Sequence, residues 1–219
     1  MISKSSQTEK KNDARSAGAS RLLDGRAVAD QLLITVARDV GKLKQSGIQP
    51  RLAFFLVGKN PASVAYVRQK EKACQKTGIT FEHIALPETV TTEELISKIE
   101  TLNSRNDVHG ILVQLPLPSH IQAPLVLLAI DPKKDVDGFH VYNLGKMTLS
   151  TKFEALVPAT PKGVIRLLEH YKIPIEGSEV VVVGRSNIVG KPLSIMLLNR
   201  NATVTTCHKC TKDLAAHTR

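Results

Sequence analysis

The sequence predicts an α/β protein built on parallel strands. Short apolar runs of strand length occupy residues 52–57, 108–113 and 180–183, and segments with apolar residues at helical spacing lie between them. Strands that alternate with helices favour parallel sheets covered by helices. No apolar run approaches about 18 residues, so these runs are predicted to be strands and not membrane spans.

The composition fits a globular protein that handles anions. Of 219 residues, 42% are hydrophobic, and 30 Lys and Arg outnumber 20 Asp and Glu, which gives a net charge of +10. The charge is dispersed, only 4% of the residues are aromatic and tryptophan is absent. A nucleic-acid partner, which would need a basic surface with stacking aromatics, is therefore disfavoured. Anionic small molecules explain the same balance.

Cysteine usage and the N-terminal composition bear on location. Three cysteines form no disulfide framework and indicate a reducing compartment, so we expect a cytoplasmic protein. Because no apolar run is long enough to span a bilayer, we expect no membrane partner. The Cys207 and Cys210 pair has the spacing of half a metal site, but no second pair completes it, and no metal is predicted.

Residues 1–20 are polar and expected to be disordered. Mitochondrial or plastid targeting by them stays open, although Glu9 and Asp13 are atypical of a transit peptide.

The first predicted elements lead to a helix with three polar residues on one face. Asp24 is a predicted N-cap for a helix that Gly47 ends, and residues 52–57 form a buried strand. Pro61 then opens a helix in which Ser63, Tyr66 and Lys70 recur at intervals of three and four. These side chains could grip a flat polar ligand, or they could form a solvated helix face.

The next strands bring a glutamine and several carboxylates to positions where ligands bind. Residues 80–86 form a strand, Thr91 and Glu94 a capping box, and residues 108–113 another buried strand. Prolines stop that strand just after Gln114, which places Gln114 at its carboxyl end, where parallel sheets bind ligands. A helix over residues 125–130 precedes a charged loop, residues 131–140. That loop is either a turn or a ligand clamp.

The second half is predicted to be a separate unit. Thr160 reads as an N-cap with Pro161 at the first helical position, opening a helix over residues 163–171. Strong periodicity is lacking over residues 144–158, where we place the boundary. The predicted division is a disordered extension over residues 1–20, a first domain over 21–150 and a second over 151–219.

A strand, a glycine turn and a helix follow in the second unit. After the strand at residues 180–183 the turn carries these candidate phosphate-binding residues: Gly184, Arg185, Ser186, Val189 and Gly190. Glycines let the backbone approach a pyrophosphate, and the N-terminus of the following helix favours an anion. Ser186 replaces the middle glycine of the usual dinucleotide pattern, so a plain strand-to-helix turn is the alternative.

Residues after the next predicted strand select the cofactor. That strand covers residues 203–206, and His208 and Lys209 follow at the place where an acidic residue would bind the ribose of NAD. Lys209, helped by Arg185, suits a 2′-phosphate and predicts NADP. A solvated basic loop is the alternative.

Five motifs in order give the chain a resemblance to a known family. They are residues 63–70 (SVAYVRQK), 110–118 (GILVQLPLP), 134–139 (KDVDGF), 158–163 (PATPKG) and 184–192 (GRSNIVGKP). In this order they resemble the bifunctional methylenetetrahydrofolate dehydrogenase/cyclohydrolase family from about residue 22 to the end. The resemblance implies a folate-binding catalytic domain followed by an incomplete Rossmann-like NADP-binding domain.

The resemblance also implies a reaction and residue roles. Methylenetetrahydrofolate would be oxidised with NADP, and the methenyl product would be hydrolysed to 10-formyltetrahydrofolate. Lys70 would be the catalytic lysine, Gln114 its partner, Tyr66 the ring that stacks on folate and Asp137 the carboxylate that holds the pterin. Ser63 would support the lysine, and Val113 and Leu115 would help to bind the tetrahydrofolate derivative. The glycine turn, with His208 and Lys209, would bind the cofactor.

Members of the family resembled continue past Arg219. A mononucleotide-binding half needs a third strand, whereas this sequence reaches its end after two. We therefore expect a C-terminally truncated chain, with a catalytically incomplete folate- or partner-binding protein as the alternative. The family also implies a homodimer if the protein is complete.

Overall fold

The computed structural model describes residues 22–219, so the predicted disorder of residues 1–20 lies outside the described part. The first half contains these elements: α1 (Gly25–Gln45), β1 (Arg51–Val57), α2 (Pro61–Thr77), β2 (Thr80–Leu86), α3 (Thr92–Asn103), β3 (Gly110–Val113) and α4 (Ala123–Ala129). The second half contains α5 (Val141–Leu149), a short 3-10 turn (Thr151–Phe153), α6 (Ala159–His170), β4 (Glu179–Val183), α7 (Gly190–Leu198), β5 (Thr203–Cys207) and α8 (Leu214–Thr218). The predicted α/β class is confirmed.

The first sheet has the order β2-β1-β3 with every pair parallel. In the register, Phe55 of β1 lies opposite Ile84 of β2 and Val113 of β3. The last predicted strand of this half begins at Gly110, two residues later than expected. All three carboxyl ends therefore lie along one edge, which is the edge that the charged loop and Gln114 reach.

Both faces of the first sheet are covered by helices. Phe55 packs with α3 and α4 in one core cluster, whereas its neighbour Phe54 packs against α2 through Val67 in another. Phe54 and Phe55 are both fully buried. Burying a side chain of this size contributes about 1.5–3 kcal/mol. The near-continuous apolar run of β1 follows from this two-sided burial.

The second sheet consists of β4 and β5, paired in parallel. Its core is formed by α5, α6 and α7, with Met147, Ile165 and Met196 almost fully buried beneath Val182. The predicted strands at residues 180–183 and 203–206 are confirmed, each with one further residue.

Helix α5 and the start of α6 differ from the prediction. Residues 144–158, where the sequence lacks strong periodicity and the domain boundary was predicted, include most of α5, which His140 caps by accepting a hydrogen bond from the Tyr142 amide. The prediction that Thr160 is an N-cap is wrong, because α6 begins at Ala159 and its Pro158 cap uses no side chain. Pro161 is tolerated inside this first turn because amides there have no intrahelical acceptor.

Helix α1 begins as predicted, with the Asp24 carboxylate accepting hydrogen bonds from the amides of Arg26 and Ala27. Its packing is sparser than the periodicity indicated, since Val28 and Val40 are buried but Val36 and Leu43 are exposed. No helix among residues 22–219 has the length and hydropathy to cross a bilayer.

Candidate active site

The helix that carries the predicted lysine starts at the carboxyl edge of the first sheet. Asn60 caps α2 by accepting hydrogen bonds from the amides of Ala62 and Ser63, just after β1 ends at Val57. Helix α2 then packs back over the sheet and brings Lys70 above β1. The Lys70 ammonium lies 4.9 Å from the ring centroid of Phe54 and 5.6 Å from that of Tyr66.

The pKa of Lys70 is lowered from its usual value. Burial against Phe54 is the main cause, because it disfavours the charged amine, and the negative charge of Asp137 opposes it in part. An amine with a lowered pKa is the type of group that performs general acid–base chemistry.

Gln114 enters the site directly after β3. Its backbone amide donates to the Phe55 carbonyl at 3.0 Å, and its side-chain amide donates to the Leu115 carbonyl at 2.5 Å. Among the described residues, Oε1 of Gln114 is the buried side-chain atom without a hydrogen-bond partner. A buried acceptor of this kind costs about 1–3 kcal/mol when left unsatisfied, so it is suited to receive a donor from a ligand or from Lys70.

Asp137 reaches the same edge because its loop runs alongside β3. Ile111 and Asp135 form a parallel bridge, and the Ile111 amide donates to the Lys134 carbonyl at 2.7 Å. Two residues further along, Asp137 is therefore level with Val113. Burial, only partly offset by Lys70 and reinforced by Asp135, raises the pKa of Asp137 to about 6.

The remaining predicted substrate residues surround this group. Ser63 is buried, Val113 is buried at the end of β3 and Leu115 is half-buried. Tyr66 is 58% exposed, so its ring is free to stack on a ligand. The sheet thus gathers on one edge side chains from α2, from the end of β3 and from the charged loop.

The glycine turn after β4 is closed by a serine. The Ser186 hydroxyl accepts hydrogen bonds from the amides of Val189 and Gly190, at 3.1 Å and 3.3 Å. A Cβ atom at Gly190 would collide with the backbone of Gly184, so only glycine fits where the turn folds against the start of α7. The two hydrogen bonds give Ser186 a structural role at the position where many dinucleotide turns have glycine.

A cavity of about 510 Å³ opens beside this turn. Most of the predicted cofactor residues line it, namely Gly184, Arg185, Ser186, His208 and Lys209. Arg185 and Lys209 are exposed cations, so the mouth of the cavity is positively charged. Val189 and Gly190 do not line the cavity and instead hold the turn. Leu214 of α8 also lines it, although no sequence pattern pointed to this residue.

Two family models match most of the chain. The tetrahydrofolate dehydrogenase/cyclohydrolase catalytic domain matches residues 23–137, and the NAD(P)-binding domain of the same enzymes matches residues 158–219. The chain belongs to the tetrahydrofolate dehydrogenase/cyclohydrolase family. Bifunctional protein FolD of Methanococcoides burtonii is 51% identical over 201 residues, which cover 91% of this chain and 70% of that protein.

Solved structures of the family share the fold. The bifunctional FolD enzyme of Campylobacter jejuni has a TM-score of 0.88 at 48% identity, over 91% of this chain and 70% of that one. The Trypanosoma brucei dehydrogenase-cyclohydrolase, solved with NADP and an inhibitor, has a TM-score of 0.87 at 37% identity, over 90% of this chain and 68% of that one. The resemblance read from the five motifs is therefore confirmed.

A second cavity in this family member, of about 560 Å³, is mainly apolar and lies away from Lys70. It runs between α4, α5 and α7, from Phe139 of the charged loop to Ile188 of the glycine turn. Its larger size does not make it the reaction site, because it lacks the titratable groups that the first sheet brings together. It does connect the loop that carries Asp137 with the cofactor turn.

Proposed function

We propose that this chain oxidises 5,10-methylenetetrahydrofolate with NADP and hydrolyses the 5,10-methenyl product to 10-formyltetrahydrofolate in one-carbon metabolism. The observation that carries the proposal is the convergence of Lys70, Gln114 and Asp137 on one edge of the first sheet, with perturbed pKa values for the lysine and the aspartate. Groups whose pKa values are moved towards neutrality by burial are typical of acid–base sites.

Lys70 is the proposed proton carrier for hydrolysis. The methenyl intermediate is cationic, so an ammonium beside it is disfavoured and the amine stays neutral. Water forms a bond to the methenyl carbon while one of its protons passes to the Lys70 amine. The bond between that carbon and N5 then breaks as N5 takes the proton held by Lys70, the hydroxyl on the carbon loses its remaining proton to water, and the resulting formyl group stays on N10.

Gln114 and Asp137 orient the reactants. Oε1 of Gln114 has no hydrogen-bond partner in the structure. In the proposed reaction it accepts a hydrogen bond from the Lys70 amine and so directs the lone pair of that amine towards the water. Ionised Asp137 accepts hydrogen bonds from pterin N–H groups, and Tyr66 stacks on the ring. Ser63 supports the helix position of the lysine, and Val113 and Leu115 contact the folate.

The cofactor cavity fits NADP. When bound, NADP supplies the acceptor for the hydride of the methylene group. Gly184, Arg185 and Ser186 line the cavity and would hold the pyrophosphate, Val189 and Gly190 hold the turn, Arg185 and Lys209 would pair with the 2′-phosphate, and His208 lines the cavity. The NAD(P)-binding family model and the NADP-bound relative support this assignment.

Further parts of the proposal concern organisation and location. We assign the folate unit to residues 21–150 and the cofactor unit to residues 151–219. We also propose a homodimer in a reducing, cytoplasmic compartment, with no nucleic-acid or membrane partner. Sedimentation of the purified protein tests the oligomer, and imaging of a tagged chain tests the compartment.

The proposal is tested by following methenyltetrahydrofolate, which absorbs in the near ultraviolet. Methylenetetrahydrofolate and NADP should yield the methenyl product, whose absorbance then decays as it is hydrolysed. Binding of folate without product would instead favour the folate-binding protein that is the alternative. Neither binding nor product would refute the function.

A further inference from the structure

A second carboxylate in the charged loop, that of Asp135, is buried and accepts several hydrogen bonds. Asp135 is 2% exposed. Its Oδ1 accepts from the Phe139 amide at 3.3 Å, and its Oδ2 accepts from the His140 amide and the Asn143 side chain, both at 2.9 Å. A buried charge is tolerated when several donors surround it in this way.

These bonds close the chain around the residue that holds the pterin. Asp135 precedes Asp137 and Phe139 follows it, and both ends of this short segment meet at the Asp135 carboxylate. Between them, Gly138 has a φ of 67° and fits closely against the backbone of Val157, so the segment has little freedom on that side.

The outer ends of the loop are fixed as well. The Lys134 ammonium donates to three carbonyls at the end of α3, those of Leu102, Asn103 and Arg105, at 2.7–3.1 Å. The Asn143 side chain, buried in α5, donates to the Pro132 carbonyl as well as to Asp135. The loop is therefore held between the first sheet and α5.

We propose that Asp135 and Asn143 form a positioning clamp that sets the orientation of Asp137 and so determines how tightly the pterin binds. The clamp rests on the proposed folate function, which it deepens by adding two residues that touch neither substrate nor cofactor. A misplacement of about 1 Å in such a group can cost on the order of 100-fold in rate.

The clamp also has an electrostatic consequence. Asp137 is influenced by two charges, those of Lys70 on α2 and Asp135 in its own loop, in addition to burial. Lys70 favours the ionised form of Asp137 and Asp135 disfavours it, which contributes to its raised pKa. Neutralising Asp135 must therefore move the titration of Asp137 to lower pH, whereas removing the Asn143 amide leaves both charges in place.

The test compares three variants of the complete chain. We expect Asp135→Asn to raise the KM for folate about 10- to 100-fold with the KM for NADP unchanged. The acid limb, which is the pH range over which folate affinity falls as Asp137 is protonated, should shift to lower pH. Asn143→Ala should raise the folate KM with the acid limb unmoved. The exchanged pair Asp135→Asn/Asn143→Asp restores an amide–carboxylate bond and should recover part of the loss.

A matched control separates positioning from general destabilisation. Glu154 is also a buried carboxylate, with a side chain 6% exposed and ion-paired to Arg200, but it lies beside α6 and α7. Glu154→Gln should lower the melting temperature and leave the folate KM unchanged. If Asp135→Asn lowered only the melting temperature, and left both the folate KM and the acid limb unchanged, the clamp would be overturned.

Failure of the clamp is distinguishable from failure of the proposed function. If the wild-type protein neither binds nor converts folate, the proposed function is wrong. The clamp is then tested separately, by NMR titration of the Asp137 carboxyl group and by the amide signals of Phe139 and His140. A lower Asp137 pKa and displaced amide signals in Asp135→Asn would support the clamp. Unchanged signals would refute it.

Discussion

In the first sheet the central strand β1 has a partner along each edge and helices over each face, whereas the second sheet, as described, pairs β4 with β5 alone. Phe54 and Phe55 of β1 are fully buried, while Val183 at the end of β4 is 61% exposed. A buried central strand holds neighbouring side chains at fixed distances. The folate side of the molecule should thus be preorganised, and the cofactor side should gain more order when its ligand binds.

The sharpest test of the preorganised side is its lysine. Replacing Lys70 with alanine should lower cyclohydrolase activity by about 10²- to 10⁴-fold, because the proton carrier is lost while the sheet that supports it remains. Hydrolysis of added methenyltetrahydrofolate measures this. Lys72→Ala, an exposed lysine on the same helix, is the matched control and should retain activity. Near-normal hydrolysis by Lys70→Ala would contradict the assignment of Lys70 as the proton carrier.

Hydrogen exchange compares the two sheets directly. Amides of β1 should exchange on the order of 100-fold or more slowly than those of β4 and β5 in the free protein, because opening β1 disrupts two core clusters. Mass spectrometry of peptides from each strand measures the rates. NADP should slow exchange in the second sheet and leave β1 almost unaffected. Equal protection of both sheets would contradict the inference that the first sheet is more preorganised than the second.

Cofactor choice depends on the less covered side. Lys209→Ala should weaken NADP relative to NAD by about 10- to 100-fold, since a charge-assisted contact contributes about 1.5–3 kcal/mol. The ratio of the two dissociation constants is the measurement. Lys212→Ala removes an equal charge outside the residues that line the cavity and should leave the ratio unaltered. The same ratio in both variants would place the 2′-phosphate elsewhere.

The smallest expected effect is on stability at the folate side. Because folding raises the pKa of Asp137 from 3.8 to about 6, the stability it contributes is fully present below pH 3.8 and is lost as the pH rises through 6. Asp137→Asn should therefore raise the melting temperature of the free protein more at pH 8 than at pH 5. Thermal melts at the two values check this. A gain that is equal at both would mean that Asp137 titrates normally.

Local sequence features predicted most of the fold because local contacts form them. The Thr91 and Glu94 capping box is present, with both of its hydrogen bonds, Asp24 caps α1 and Pro61 opens α2. The prediction for Thr160 was wrong since proline is compatible with several positions in a first turn, and Pro161, which is buried, is the third residue of α6 and not the first. Helix α5 was missed because its short segment contains Gly145 and has few turns from which to read a period.

The sequence by itself determined the α/β class, the order of the strands along the chain and the family, because these follow from periodicity, turn residues and motifs in fixed order. Only the tertiary structure decided which side chains share an environment. Lys70 lies over Phe54 and interacts with Asp137, and Asp135 receives the Asn143 side chain, through contacts between separate elements. A pKa depends on burial and on neighbouring charges. Both arise when the sheet, α2 and α5 come together, so no local pattern encodes them.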